Sequence, residues 1–108
     1  MAVLTKNKVI NSISIDPVVI LQTDSTTKIT IIGLSFTNLT NLFAYIDVLV
    51  TDDASSTGYY LKDTLLPSGS SLRAVSNGEK LILGPNNILS ARSSVVDSVD
   101  VIISYVEV

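Results

Sequence analysis

The sequence predicts an all-β fold, an antiparallel β-sandwich of about eight short strands with jelly-roll-like connections, on three observations. Apolar residues recur at every second position or in short β-branched runs. Pro, Gly, Asn, Asp and Ser separate those runs. No window keeps apolar residues at helical spacing over three turns, and Val, Ile, Ser and Thr dominate where a helix would carry Ala, Glu and Lys. Strand count favours a jelly roll over the alternative, an immunoglobulin-like sandwich, because periodicity does not reveal connection order.

Taken in order, "KVINSISI" sets Val9, Asn11, Ile13 and Ile15 in near alternation and stops at Asp16-Pro17, where proline cannot donate to a ladder. "VVILQ" reads as a short edge strand ahead of the polar turn "TDSTT". "KITIIGLSFTN" places Ile32, Leu34 and Phe36 on one face and Ile31, Gly33 and Ser35 on the other. Ile29 and Ile31 make its first half apolar on that second face too. "FAYIDVLVT" alternates Ala44, Ile46, Val48 and Val50 against Tyr45, Asp47 and Thr51, as a half-buried strand does.

"TDDASSTG" is a loop, after which "YYLKDTLL" resumes the β pattern. Pro67 presets its φ and Gly69 permits a positive φ, so the chain turns a corner there, with Leu65 and Leu66 expected to anchor it in the core. Asn77-Gly78 predicts a hairpin-like connection between "SLRAV" and "KLIL". Gly84-Pro85-Asn86-Asn87 turns the chain into "ILSARS". In "SVDVIISYVEV", Val99, Val101, Ile103 and Tyr105 alternate with Asp100, Ile102, Ser104 and Val106, and the length of the run implies a central strand.

A chain of 108 residues is expected to form one domain, 1–108, within which "MAVLTKNK" (1–8) reads as an arm that frays or reaches a partner subunit. Without Cys there is no disulfide, thiolate ligand or thiol nucleophile, and without His the commonest general base and transition-metal ligand are missing. Net charge is -3 and the seven basic residues are scattered, which argues against a nucleic-acid partner. Every apolar run is broken by Asp, Ser, Thr or Asn, so no membrane span is expected, and the amino terminus lacks the apolar stretch of a signal peptide.

Candidate chemistry is thin. Asp52-Asp53 with Ser55 and Ser56 offers oxygen ligands but neither spaced carboxylates nor a bidentate Glu, so it reads as a solvated loop. Asp97 and Asp100, three apart, face opposite ways on a strand and read as surface charge. Asn38-Leu39-Thr40 matches a glycosylation acceptor by chance if the chain is not exported. The abundant hydroxyls have no evident activating base. No cofactor, metal or catalytic residue is expected, and the chain reads as a non-enzyme. Tyr59 and Tyr60 are adjacent, so one should be exposed while the other caps the core.

Four segments in order, "ITIIGLSFTNLTNLFAYIDVLVTD", "YYLKDTLLPSGSSLRAV", "GEKLILGPNNILSARSS" and "VDVIISYVEV", resemble small β-sandwich structural proteins of tailed-phage virions over about residues 28 to 108. The chain departs from that pattern at Gly84-Pro85-Asn86, where an acidic residue would follow the turn glycine. The resemblance implies a capsid decoration or cement protein that binds between capsomers, made in the host cytoplasm and located in the virion. Its partners would be the major capsid protein or other virion proteins and further copies of itself, a trimer being favoured. A neck, tail or fibre-attachment role is the alternative. A carbohydrate-binding sandwich with Tyr45, Tyr59 or Tyr60 as a sugar platform is a further one. Candidate partner-contact residues are Val3 and Leu4 in the arm, Val18, Val19 and Ile20 in the edge strand, and Tyr59 and Tyr60.

Overall fold

The computed structural model describes residues 4–108, in nine antiparallel strands and no helix. They are β1 (Leu4–Ile13), β2 (Val18–Gln22), β3 (Ile29–Asn38), β4 (Ala44–Thr51), β5 (Thr57–Leu66), β6 (Ser71–Val75), β7 (Leu81–Leu83), β8 (Ile88–Ser93) and β9 (Val99–Glu107). One sheet runs β1-β9-β3-β6, with β7 also pairing β3, and the other runs β2-β8-β4-β5. The pairing is nested: β1 with β9, β2 with β8, β3 with β6 and β4 with β5. A long hairpin rolled on itself produces that order, which is the jelly roll. An immunoglobulin-like sandwich would join several sequential strands as neighbours within a sheet, whereas here only β4 and β5 are so joined.

The inner faces of the two sheets enclose the core. Phe36, Leu34, Ile31, Ile46, Val48, Leu66, Leu83, Leu89 and Ile103 are all essentially solvent-free. The last strand is central, as its sequence implies, and Val99, Val101, Ile103 and Tyr105 point inward. "VVILQ" is an edge strand.

Five expectations are corrected by the structure. Ile32 does not share a face with Leu34 and Phe36, because a bulge between Ile31 and Gly33 inserts one residue into β3. Ile29 and Ile31 point inward before the bulge, Leu34 and Phe36 after it, and Ile32 is left in solvent. A second bulge lies between Ile10 and Ile13, where Ser12 has φ 52°, so Val9 is exposed and Ile13 buried on a strand read as one alternating run. Leu65 and Leu66 do not both anchor the corner: Leu66 is 1% exposed and Leu65 49%.

Asn77-Gly78 adopts the left-handed geometry expected of it (φ 55° and 86°), yet it does not reverse the chain. Both β6 and β7 pair antiparallel with β3, at Leu34–Thr37 and Ile29–Ile31 respectively, so they run the same way in one lane. A local turn signal fixes backbone angles, while the unpaired flank of β3 decides where the next strand lies. Residues 4–8 of the expected arm are part of β1, paired from Leu4↔Glu107 to Lys8↔Ile103, and Met1–Val3 lie outside the described residues.

Candidate interaction surface at one end of the sandwich

The rolled topology gathers the β1–β2, β3–β4, β5–β6 and β8–β9 loops at one end, where buried polar side chains tie them together. Asn38, 1% exposed, donates from Nδ2 to Leu42 O (2.8 Å) and Leu66 O (3.0 Å), and its Oδ1 accepts from Thr40 N and Oγ1 (2.9 and 2.8 Å). Backbone bonds run from Leu39 N to Ser98 O (2.8 Å), Asn38 N to Ser70 O (2.9 Å) and Ser98 N to Ile13 O (3.0 Å). The buried hydroxyls of Ser93 and Ser98 meet at 2.6 Å. Each loop thus satisfies another loop's backbone, as a buried corner requires.

On this frame stand six large apolar side chains in solvent. They are Ile15 from the first loop, Leu39, Leu42 and Phe43 from the second, Leu65 from the end of β5, and Val96 from the last. Phe43 is 67% exposed and Leu42 58%. Among residues 14–17, 39–43, 67–70 and 94–98 the charges are Asp16 and Asp97 alone.

The opposite end is built from the loops at residues 23–28, 52–56 and 84–87, which carry Asp24, Lys28, Asp52 and Asp53 and no apolar side chain larger than Pro85. Its loops are also knit: Thr23 Oγ1 donates to Gly84 O at 2.6 Å and accepts from Asn87 N at 2.8 Å, and Asn86 Nδ2 reaches Asp53 at 3.1 Å. Asp52 accepts from Ala54 N and Ser56 N, both at 3.0 Å, closing the β4–β5 loop on itself. The loops are therefore apolar at one end and polar at the other, where Leu4 and Val108 of the terminal strands are the exposed apolar side chains, and exposed apolar surface gathered in one place is the usual mark of an interaction site.

Beside the apolar end, on the outer face of the β2-β8-β4-β5 sheet, a shallow hollow is bounded by Ile15, Tyr45, Ser94, Asp47, Asp63 and Arg92. Asp47 is buried although its strand parity points it outward. A bulge in β5 places Lys62 and Asp63 opposite Asp47, and Asp63, at φ 48°, aims its N–H at Asp47 Oδ1 (2.7 Å). Arg92, across the β4–β8 ladder, donates from Nε to Asp47 Oδ2 at 2.7 Å. Burial alone would raise the Asp47 carboxyl, but the Asp63 N–H, the Arg92 hydrogen bond and charge, and the Lys62 charge outweigh it and hold Asp47 below the ordinary carboxylate range. The same pairing holds Arg92 above its ordinary value.

A depressed carboxylate contributes stability that is present above its unfolded pKa, near 3.9, and lost as pH falls through the folded value. Urea midpoints taken from pH 6 down to pH 2 are therefore expected to fall less steeply in Asp47→Asn than in the parent chain. Equal acid slopes would show that the ion pair does not couple to folding.

The residues predicted to contact partners fall in different places. Val19, Leu4 and Tyr59 are exposed. Ile20 is solvent-free and belongs to the core, since the Val19/Leu21 bulge turns it inward, and Val18 is half-buried against the same core. Tyr60 packs on the core with its hydroxyl donating to Ala74 O at 3.4 Å. Val3 is outside the described residues. The edge of β2 is itself engaged, because Lys8 Nζ donates to Ile20 O at 3.1 Å. The apolar end was missed from sequence, although "NLTNLF" signals it: three large apolar residues inside a polar turn.

Comparison of this chain with models of known families, with curated proteins and with solved structures finds no match. What the fold and surface define is a jelly-roll domain with an apolar loop end.

Proposed function

We propose that this chain is a structural protein of a tailed-phage virion, a capsid decoration or cement protein that attaches to the assembled shell through its apolar loop end. The observation that carries this reading is the asymmetry of the sandwich. Six exposed apolar side chains stand at one end of a 45 Å long domain and the loops of the other end are polar, as suits a subunit docked by one end with the other in solvent. Binding to the assembled shell and not to free subunits lowers the free energy of the assembled state by mass action. The surface needs no chemistry beyond burial: Leu42 and Phe43 would each contribute about 1–2 kcal/mol on losing their remaining solvent contact.

The sugar-platform alternative has less support. Lys62 Nζ sits 4.8 Å from the centroid of the Tyr59 ring, on a face a pyranose would stack against.

Quantitative mass spectrometry of isolated particles is expected to find this chain in a copy number that scales with the shell lattice. A copy number matching a single ring would move it to the neck, tail or fibre base, and absence from particles would overturn the virion reading. Phe43→Asp combined with Leu42→Asp is expected to weaken attachment to shells at least tenfold, a change of about 1.4 kcal/mol or more. Both side chains are solvent-exposed, so the urea midpoint should stay unchanged.

A further inference from the structure

We propose that the outer face of the β1-β9-β3-β6 sheet, with β7, is a self-complementary interface that packs against the same face of a second copy. This inference is independent of the virion reading and concerns the opposite side of the sandwich from the Asp47–Arg92 pair.

The first ground is charge. The ladder puts Val9, Ile102, Ser35 and Arg73 in one row and Asp100, Thr37 and Ser71 in the next. Ser104 and Gly33 form a third row, and Val106, Thr30 and Ile82 a fourth. Across those rows the only charges are Arg73 and Asp100, in a chain with 17 charged residues, seven basic and ten acidic. The lysines of β1 alternate to the other side, where Lys6 pairs with Glu107 at 3.1 Å and Lys8 donates to Ile20 O. Arg73 has no ion pair among the described residues, and Asp100 uses Oδ1 alone, accepting from Ser12 N at 2.8 Å. One free cation and one available carboxylate oxygen on the same neutral face are what a twofold contact requires. The axis that sets Arg73 of one copy against Asp100 of the other makes the reciprocal pair as well.

The second ground is relief. Ile32, pushed outward by the β3 bulge, stands between two shallow hollows. One is lined by Gly33, Ser35, Ile102 and Arg73, the other by Thr5, Lys6 and Asn7, with the Lys6 ammonium drawn to Glu107, and Ser104 borders both. Gly33 and Ser104 leave those hollows open, since even a Cβ on Gly33 would sit 3.6 Å from the Ser104 Cβ. A projecting Ile beside a trough that Gly33 and Ser104 keep open lets each copy insert its Ile32 into the other's trough. Val9, Ile102 and Ile82, all exposed, extend the apolar contact across every lane.

The third ground is area. Four lanes about 4.8 Å apart and about nine residues long make a face of roughly 20 by 30 Å. Two copies would then bury about 1,200 Å² in total, at the lower bound of specific interfaces, so a reversible dimer is expected and not a permanent one.

Sedimentation equilibrium of the full chain over a concentration series is expected to show a monomer–dimer equilibrium. Ile32→Asp and Arg73→Glu should each raise the dissociation constant at least tenfold, and Arg73→Glu with Asp100→Lys together should recover most of the loss from either single charge reversal. Urea midpoints of each variant establish that the monomer is folded before its association is compared. A chain that stays monomeric at millimolar concentration, a trimer as the phage resemblance implied, or a dimer indifferent to Ile32→Asp would overturn the proposal. Folded variants in which the double reversal fails to restore association would equally remove the Arg73–Asp100 pairing on which it stands.

Discussion

Truncating Phe36 to alanine is expected to cost about 3–5 kcal/mol, the largest single loss available in this chain, because the ring is solvent-free and the space it leaves cannot collapse between two sheets. Phe36 lies on β3, opposite Val101 of β9 on one side and Leu72 of β6 on the other, so its removal loosens three strands together. Against a total of roughly 5–15 kcal/mol for a domain, that loss should move the urea midpoint far towards zero. Ile32→Ala supplies the control. Four residues earlier and of the same parity, it would cost a comparable amount if β3 were a regular strand. With the bulge in place Ile32 is exposed, and the substitution should cost about 0.5 kcal/mol or less. Similar losses from both substitutions would refute the bulge.

Asn38→Ala should be nearly as damaging, about 3 kcal/mol or more, although it removes only a small polar side chain. Its Nδ2 serves the carbonyls of Leu42 and Leu66, and its Oδ1 serves the Thr40 backbone and hydroxyl. The Leu66 bond is buried, so its carbonyl would be stranded at about 1–3 kcal/mol, and the β3–β4 loop would lose its template. Since that loop carries Leu39, Leu42 and Phe43, hydrogen exchange at residues 39–43 should accelerate in Asn38→Ala well before global unfolding, and shell attachment should weaken with it. Asn38→Asp sharpens the test, because it keeps the acceptor and loses the donor. If Asn38→Ala left both the midpoint and the loop exchange unchanged, the corner would have to be held by its backbone bonds alone.

Much of the architecture is legible along the chain for reasons that are local. Alternation in β4 and β9 buries Ala44, Ile46, Val48, Val99, Val101 and Ile103 as read, because a strand without bulges keeps its period of two. Pro67 and Gly69 mark a real corner, with Gly69 at φ 64° and Ser70 N donating to Pro67 O at 3.2 Å. Tyr59 and Tyr60 divide between solvent and core as read, although a bulge at Tyr60 sets it against the core beside Leu61.

The misreadings share a physical cause, the dependence of a strand's inward face on its partner. At Ile32, Ser12 and Asp63 an inserted residue shifts the parity of everything beyond it, and an alternating run carries no mark of where the insertion falls. Asp47 reads as an outer-face acid, yet the neighbouring strands bury it against Arg92 and the Asp63 N–H.

An all-β chain, the approximate limits of its strands and a composition without Cys or His are legible along the chain, since turn propensity and β-branching act within a few residues. The nested strand order, the bulges and the gathering of Ile15, Leu39, Leu42, Phe43, Leu65 and Val96 at one end come instead from how the strands pair and pack. Those side chains span more than eighty residues of sequence, and what brings them together is the rolling of the two sheets, a long-range packing choice to which no local pattern is bound.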